Sequence, residues 1–533
     1  MPNYVNMKKF LILISFLLLF LSCQKEEKIK KMKIPPSVPT KLAVNLPNPI
    51  LTDHAYLLEI YWKAWELLQQ NIKTGTPQNG FIDAYLDEGF NDLIYQWDTC
   101  FMALFAMYGR ILYPAMASLD NFYRKQRSDG WICRVYQESD GKVPSQPSDE
   151  EPMINPPLFA FVEWKYFLLT GDNLRLNRVM RILDKYYNWI DQHTQARLAA
   201  KGLYYNTLFG SVMDNSPRDD INNGGWIDLS SQMSLFAKYM MFIAKEIGTD
   251  SLQQVYEKRY RLLVRLINGK MWDEKTHFYY DIDIFGKKKS IKTAAAFWTL
   301  LSEVATFPQA RQLAEHLMNP DEFYRDHLFP SLAADHPQYV GEGHYWRGGV
   351  WAPINYMIIK GLDIYPLREL AANAALNHVK NIYQVYKNFK PSANQIAPEE
   401  INDNYQTIWE CYAPDYPQPS TRWDGQYLSR QNYVGWSGLG PIALLLENII
   451  GLQPSAPRNV LYWNLRLKEQ HGVQNYRFGD NQIDIICLKN ELPVGPAEIR
   501  IQSNKVFTLI VSSQVGVKEF EVKKGENRFE VKI

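Results

Sequence analysis

The sequence predicts a mainly α-helical protein, an (α/α)6 barrel or helical toroid, followed by a small C-terminal β-sandwich. From about Leu51 to Leu452, apolar residues recur at three- and four-residue spacing, the period of a helix with one buried face. After about Pro454 the period changes to two, that of half-buried strands. The helical stretches are joined by short punctuation such as Thr170-Gly171-Asp172 and Gly248-Thr249-Asp250-Ser251. There a Gly ends one helix and an Asp can cap the next. Such joins make antiparallel neighbours, and about a dozen helices in pairs suggest a closed ring of hairpins. The rival is an open helical solenoid, but a solenoid would show a repeat, and none is present.

Taken in order, residues 1–22 read as a lipoprotein signal peptide. Lys8 and Lys9 precede an apolar run, 10–21, that is too short to span a bilayer comfortably. Met7 is an alternative start. Leu21-Ser22-Cys23 has the form of the end of a bacterial lipobox, with Cys23 as the lipidated residue. An ordinary signal peptide with an incidental Cys is the alternative. Gln24-Lys25-Glu26-Glu27 resembles the charged tag that sends lipoproteins of the Bacteroides group to the cell surface. The expectation is an outer-membrane lipoprotein exposed at the cell surface, with a periplasm-facing one as the alternative. Its only membrane contact would be the lipid. Residues 23–50 are Lys- and Pro-rich (Pro35, Pro36, Pro39) and are expected to be a mobile tether with no core.

Residues 51–453 are the expected (α/α)6 catalytic domain. Its helices are placed at 59–72, 100–112, 157–170, 177–194, 229–248, 252–268, 293–305, 309–318, 350–362, 367–389 and 439–452. Small strands are expected at 203–205 and 278–281. Residues 454–533 are the sandwich, with strands at 460–467, 483–487, 498–502, 508–511, 520–522 and 529–533. The last two flank 523–528, with Gly525 in the turn, and read as a hairpin. The sandwich is expected to cover the helical domain rather than to bind sugar by itself.

Composition narrows the function. With 15 Trp, 33 Tyr and 25 Phe, the chain has either a large aromatic core or rings for stacking on sugar faces. A net charge of +1 with no basic stripe argues against nucleic acid. Cys100, Cys133, Cys411 and Cys487 have no CxxC spacing, which argues against zinc; buried free thiols are the default, with disulfides of unassigned pairing as the alternative in an exported protein. No metal or other cofactor is expected, and the protein is expected to be a monomer.

The long polar interruptions, 74–99, 127–156, 196–228, 319–349 and 390–438, would gather at one mouth of a helical ring. One holds Asp214, a lone carboxylate following Leu208, Phe209, Val212 and Met213, with Asn215, Ser216 and Arg218 after it. On local sequence alone it can equally be a turn cap. The other stretches with chemical potential are Gln96-Trp97-Asp98-Thr99, Pro144-Ser145-Gln146-Pro147 with Asn155, Tyr345-Trp346-Arg347-Gly348-Gly349-Val350-Trp351, and Trp409-Glu410-Cys411-Tyr412 followed by Gly435-Trp436-Ser437.

Together these stretches resemble the inverting α-glycosidases of glycoside hydrolase families 63 and 37, the processing α-glucosidases, their bacterial relatives and the trehalases. Tyr-Trp-Arg-Gly-Gly-Val-Trp is similar to the families' Trp-Arg-Gly-Pro-(Val/Ile)-Trp. Met213-Asp214-Asn215-Ser216-Pro217-Arg218 resembles the segment carrying their acid, and Trp-Glu-Cys-Tyr the one carrying their base, in the same chain order over roughly 90–452. Gly349 stands where the families have Pro, and Ala413-Pro414 and the Pro-rich 415–432 loop depart from the trehalase signatures. The resemblance implies hydrolysis of an α-linked glucoside or related α-glycoside with inversion, Asp214 being the general acid and Glu410 the general base. Inversion needs the two carboxyls roughly 6.5–9.5 Å apart. The substrate would be an oligosaccharide or glycoside. Asp98 and Arg347 can hold its hydroxyls, as can the amides of Gln146 and Asn155, which can equally serve turns or caps. Trp97, Trp346, Trp351 and Trp436 can form its walls or pack the core. Arg218 can position Asp214 or sit in a structural ion pair, and His344 reads as a hydrogen-bonded loop residue.

Two alternatives keep the fold. A toroid lyase or sugar epimerase would use Tyr345 and His344 for proton transfer. A glycan-binding surface lipoprotein would keep the pocket without turnover.

Overall fold

The protein is described here from a computed structural model covering residues 40–533 other than 90, 145–151, 219–222, 403, 515 and 533. The expected signal peptide, Cys23, most of the tether and Gln146 lie outside the described residues. Residues 45–533 form one compact unit.

The apolar spacing folds as helices: α1 Leu58–Gln70, α2 Gln96–Ala106, α3 Ala115–Arg124, α4 Phe159–Thr170, α5 Asn173–His193, α6 Ile227–Glu246, α7 Asp250–Lys270, α8 Trp298–Leu301, α9 Phe307–Leu317, α10 Ala352–Ile364, α11 Arg368–Asn388 and α12 Gly440–Ile450. The last is π-helical. The punctuation between α4 and α5 works as expected. Gly171 takes a φ of 74°, and the Asp172 carboxylate accepts the Arg175 N–H at 3.0 Å. Asp250 does not cap. It lies inside the first turn of α7, and Thr249 occupies the cap position without a side-chain bond. Segment 293–305 is less regular than expected. It opens as a 3-10 turn, Ala294–Phe297, and Glu303 takes a φ of 55° that stops the helix.

The even-numbered helices are the buried ones. Every residue of α2 and α12 is buried, whereas α7 buries Tyr256, Leu263 and Ile267. A helix that is apolar all round has to be surrounded. Accordingly α4 packs on both α2 and α6, α8 on both α6 and α10, and α12 on both α10 and α2. The odd-numbered helices lie outside them: α3 on α2, α5 on α4 and α6, α7 on α6, α11 on α10 and α12, and α1 on α11 and α12.

The C-terminal strands form two sheets. With β1 Asn48–Leu51, β2 Leu452–Ser455, β3 Val460–Asn464, β4 His471–Phe478, β5 Asn481–Asn490, β6 Ala497–Ser503, β7 Phe507–Ser512, β8 Val517–Val522 and β9 Gly525–Val531, the orders are β1-β4-β5-β6-β9 and β8-β7-β3-β2. Two expectations change. The tether ends before residue 48, because β1 pairs antiparallel with β4 from Asn48↔Gln474 to Leu51↔His471. The last two strands are not a hairpin, since β8 pairs with β7 and β9 with β6. The Asn527 amide bonds the backbone of Lys523 at 2.8–2.9 Å, holding the turn that carries the chain from one sheet to the other. At 278–281 the expected strand is present as Phe278–Tyr279, paired with Trp272–Asp273, whereas 203–205 gives only isolated bridges.

The strands meet the C-terminal ends of the buried helices. The Trp463 indole donates to the Ile450 carbonyl at 2.9 Å, and the Gly479 N–H to that of Leu169 at 2.8 Å. A chain ending at Leu452 would uncover these ends and deprive β1 of its partner. It is expected to aggregate when expressed, read as loss of soluble protein on size-exclusion chromatography. A soluble, fully active truncation would contradict the covering role of the strands.

Candidate active site

The site is built on the turn 345–351, which leads into α10. Tyr345 takes a φ of 54°, and its carbonyl accepts the Gly349 N–H at 2.9 Å and the Trp351 indole at 3.3 Å. A Cβ on Gly349 would stand 2.1 Å from that carbonyl oxygen, so only glycine fits. The Trp346 and Trp351 rings stack, 4.2 Å between centroids and 4° from parallel.

Asn215 ties the neighbouring Asp214 to this turn. Its side-chain oxygen accepts the Trp346 N–H at 2.8 Å, its amide donates to the His344 carbonyl at 3.1 Å, and its own carbonyl accepts Arg347 Nε at 2.9 Å. The Glu410 segment is tied to the same turn by a two-way backbone bridge. Val350 N–H donates to Tyr412 at 2.8 Å, and Tyr412 N–H to Val350 at 3.0 Å. Glu410 and Asp214 therefore reach one cavity of about 550 Å³ from loops far apart in the chain.

Their surroundings differ. Glu410 is buried, and Arg430 Nη1 stands 3.0 Å from both of its oxygens. The Tyr345 hydroxyl donates to Oε1 at 3.1 Å and the Arg430 N–H to Oε2 at 3.2 Å. Donors on both oxygens suit a carboxylate that carries its charge. Asp214 accepts no hydrogen bond among the described residues. Burial, and then the negative charge of Glu410, push its carboxyl up to about 7, against the opposing pull of Arg134 and Arg430. Asp98, in the first turn of α2, takes the Tyr433 hydroxyl. Burial first, helped by the charge of Glu410, holds its carboxyl well above the usual range, although the Tyr433 bond works the other way.

Of the residues marked in the sequence, Trp97, Asp98, Asn155, Trp346, Trp351 and Trp436 line the cavity with Asp214 and Glu410. Trp97 and Asp98 do so from a helix, not from the loop expected, because α2 begins at Gln96. Arg218 is not in the cavity. It is fully enclosed between Asp228, at 2.6 and 3.0 Å, and Asp281, at 2.8 and 2.9 Å, the structural alternative weighed for it. Arg347 does not line the cavity either; its Nε is used on the Asn215 carbonyl. His344 bonds the Trp423 carbonyl at 3.0 Å, as a loop residue does. Cys100, Cys133, Cys411 and Cys487 are all buried. No group of His, Cys, Asp or Glu able to hold a metal ion occurs among the described residues.

Sequence reasoning missed Arg134, Arg430, Phe209 and Trp423, which also line the cavity. Arg430 and Trp423 sit in the Pro-rich 415–432 loop, read only as a departure from a known pattern. That loop carries two arginines, Arg422 and Arg430, and no local signal singles out the second.

A model of the mannosylglycerate hydrolase MGH1-like glycoside hydrolase domain matches residues 93–421, more than half of the chain. An uncharacterized protein of Borreliella burgdorferi is 29% identical over 79% of this chain and 84% of its own length. The mannosyl-oligosaccharide glucosidase of Saccharomyces cerevisiae is 22% identical over 71% of this chain, which spans 51% of that protein. The crystal structure of the GH63 mannosylglycerate hydrolase from Thermus thermophilus in complex with glucose superposes with a TM-score of 0.54 at 18% identity, covering 71% of this chain and 98% of that one.

The Asp214 carboxyl is expected to titrate near pH 7, read by carbon NMR as the carboxyl signal absent from Asp214→Asn. Glu410→Gln removes a charge that raises it and should move the midpoint down. Because the folded value lies above the ordinary one, the stability that Asp214 contributes is present at low pH and is lost as pH rises through about 7. Asp214→Asn should therefore melt above the wild type at pH 8, with a smaller difference at pH 5. A midpoint near the ordinary 3.8 would contradict this account of the site.

Proposed function

This chain belongs to the mannosylglycerate hydrolase MGH1-like family of glycoside hydrolases, and from that premise we propose that it hydrolyses an α-linked glucoside or related α-glycoside with inversion. The observation that carries the reading is the contrast between two carboxyls in one cavity. Asp214 is suited to hold a proton near neutral pH, and Glu410 is held by donors on both oxygens. A carboxyl raised by burial beside one whose oxygens are held by cationic and hydroxyl donors is the arrangement that an acid and a base need.

Asp214 delivers its proton to the glycosidic oxygen as the C–O bond breaks. Glu410 takes a proton from a water that attacks the anomeric carbon from the opposite face. Asp98 and Asn155 bond hydroxyls of the sugar being cleaved, while Trp97, Trp351 and Trp436 wall it in. Tyr345 and Arg430 orient Glu410. Arg347 acts through Asn215, and Arg218 through its ion pairs, to position the loop of Asp214. Tyr345 spends its hydroxyl on Glu410 and His344 its ring on Trp423, which favours hydrolysis over a Tyr/His lyase or epimerase.

The fold reading that goes with this function is the (α/α)6 barrel, supported by the neighbour order of α2, α4, α6, α8, α10 and α12. The sandwich is supported by Phe478 and Phe507, which meet edge-on at 5.3 Å from different sheets. Leu21-Ser22-Cys23 supports a lipid anchor on the outer membrane. Cys23→Ala should move the protein from the membrane fraction to the soluble one, and unchanged membrane association would refute the anchor.

Asp214→Asn should lose on the order of a hundredfold or more in kcat on an unactivated α-glycoside, and much less on the matching glycosyl fluoride, which needs no protonation. Glu410→Gln should lose a comparable factor on both. Proton NMR of the first product should show the anomer opposite to the substrate's; a retained anomer would end the inverting reading.

A further inference from the structure

The cavity has two unlike ends. Trp97, Trp351 and Trp436 are buried beside Glu410 and Asp98. Phe209 and Trp423 line the same cavity yet are 61% and 63% exposed. Large rings left in water at a cavity mouth are apolar surface waiting for a partner.

Both belong to the side of the acid. Phe209 lies five residues before Asp214, at the head of a turn closed by Val212, whose φ of 58° is costly for a β-branched residue. That conformation is the kind of strain that functional loops retain. Trp423 comes from the other loop, but its carbonyl receives the amide of Asn215, the residue next to Asp214, at 3.4 Å. The Arg134 guanidinium lies 5.8 Å from the centre of the Phe209 ring and also borders the cavity.

In the reaction proposed above, the acid stands beside the leaving group. We infer that Phe209 and Trp423 form the leaving-group subsite and that it takes a second sugar ring, whose C–H face stacks on the two aromatic rings while Arg134 holds one of its hydroxyls. The substrate class is then an α-linked di- or oligosaccharide rather than a glycoside of a small acid or alcohol. This inference rests on the glycosidase reading of Asp214 and Glu410.

The test compares substrates that differ only in the leaving group. Wild type, Phe209→Ala, Trp423→Ala and the aromatic replacements Phe209→Tyr and Trp423→Phe are assayed on α-D-glucosyl and α-D-mannosyl fluoride, on α-linked glucose and mannose disaccharides, and on α-glucosyl- and α-mannosylglycerate. In each alanine variant, the ratio of kcat/KM on disaccharide to kcat/KM on fluoride should fall roughly tenfold or more, and the aromatic replacements should restore it. An unchanged ratio in both alanine variants overturns the subsite. So does a wild type that cleaves a glycosylglycerate while leaving every disaccharide intact, since the occupant would then be a small acid. If wild type leaves both fluorides and all glycosides intact, the hydrolytic reading falls and the subsite falls with it. Fluoride hydrolysis with an unchanged ratio removes the subsite alone.

Discussion

Asn215 is the residue on which the site depends. One side chain and one carbonyl bind the backbone of His344 and Trp346 and the guanidinium of Arg347. The turn so gripped is bridged on its far side to Tyr412, two residues from Glu410. The separation of the two carboxyls is thus set by one rigid turn and not by two independent loops. Gly349 explains why that turn departs from the Pro of the related families. Here residue 349 donates its N–H to Tyr345, which a Pro cannot do, and it has no room for a Cβ. The departure is a different way of holding the same bend.

Rigidity of this kind is needed because the cavity gathers charge that burial disfavours. Asp98, Asp214 and Glu410 share one space, and among the described residues only Arg134 and Arg430 line it with positive charge. The protein resolves this by giving each carboxyl a different environment: a guanidinium for Glu410, a phenol for Asp98, and neither for Asp214. Burial and the charge of Glu410 then push the last up to about 7. Arg218 serves the same end from behind. Breaking an ion pair as buried as its contacts with Asp228 and Asp281 costs about 3–5 kcal/mol, so the segment that carries Asp214 is pinned four residues further on.

The sequence was most legible where burial is one-sided. Helices α5 and α7, with a wet face and a dry one, show their period plainly. Helix α2 does not show where it starts, because its first turn, Gln96-Trp97-Asp98-Thr99, is mostly polar although every residue from Gln96 to Ala106 is buried; this is why Trp97 and Asp98 read as loop residues. Strand β4 was hidden by polar residues, Gln474 and Asn475, at a register shift in its pairing with β5. Gly525 in a short polar turn looked like a hairpin, although the chain there changes sheets. Among the site residues, those carried by motifs were visible. Arg430 and Trp423 were not, because nothing local distinguishes an Arg that meets a distant Glu from one that meets water.

Loop length, by contrast, was informative about which end of the molecule works. The chain leaves four of the buried helices by a short route: Gly171 and Asp172 after α4, 247–249 after α6, 302–306 after α8, 365–367 after α10. It returns to the next buried helix by a long one, and those returns carry Asn155, Asp214, Tyr345 and Trp436. The long loops therefore reach the N-terminal ends of the buried helices; those entering α2, α4, α6, α10 and α12 line the cavity, while the one entering α8, 271–297, does not. The short turns leave the opposite ends flat enough for the strands to approach Leu169 and Ile450. Paired helices with this alternation have one end that strands can cover and one that the long loops hold. The cavity forms at the loop-bearing end, where Trp97, Trp351 and Trp436 meet Asp98, Asp214, Glu410, Arg134 and Arg430.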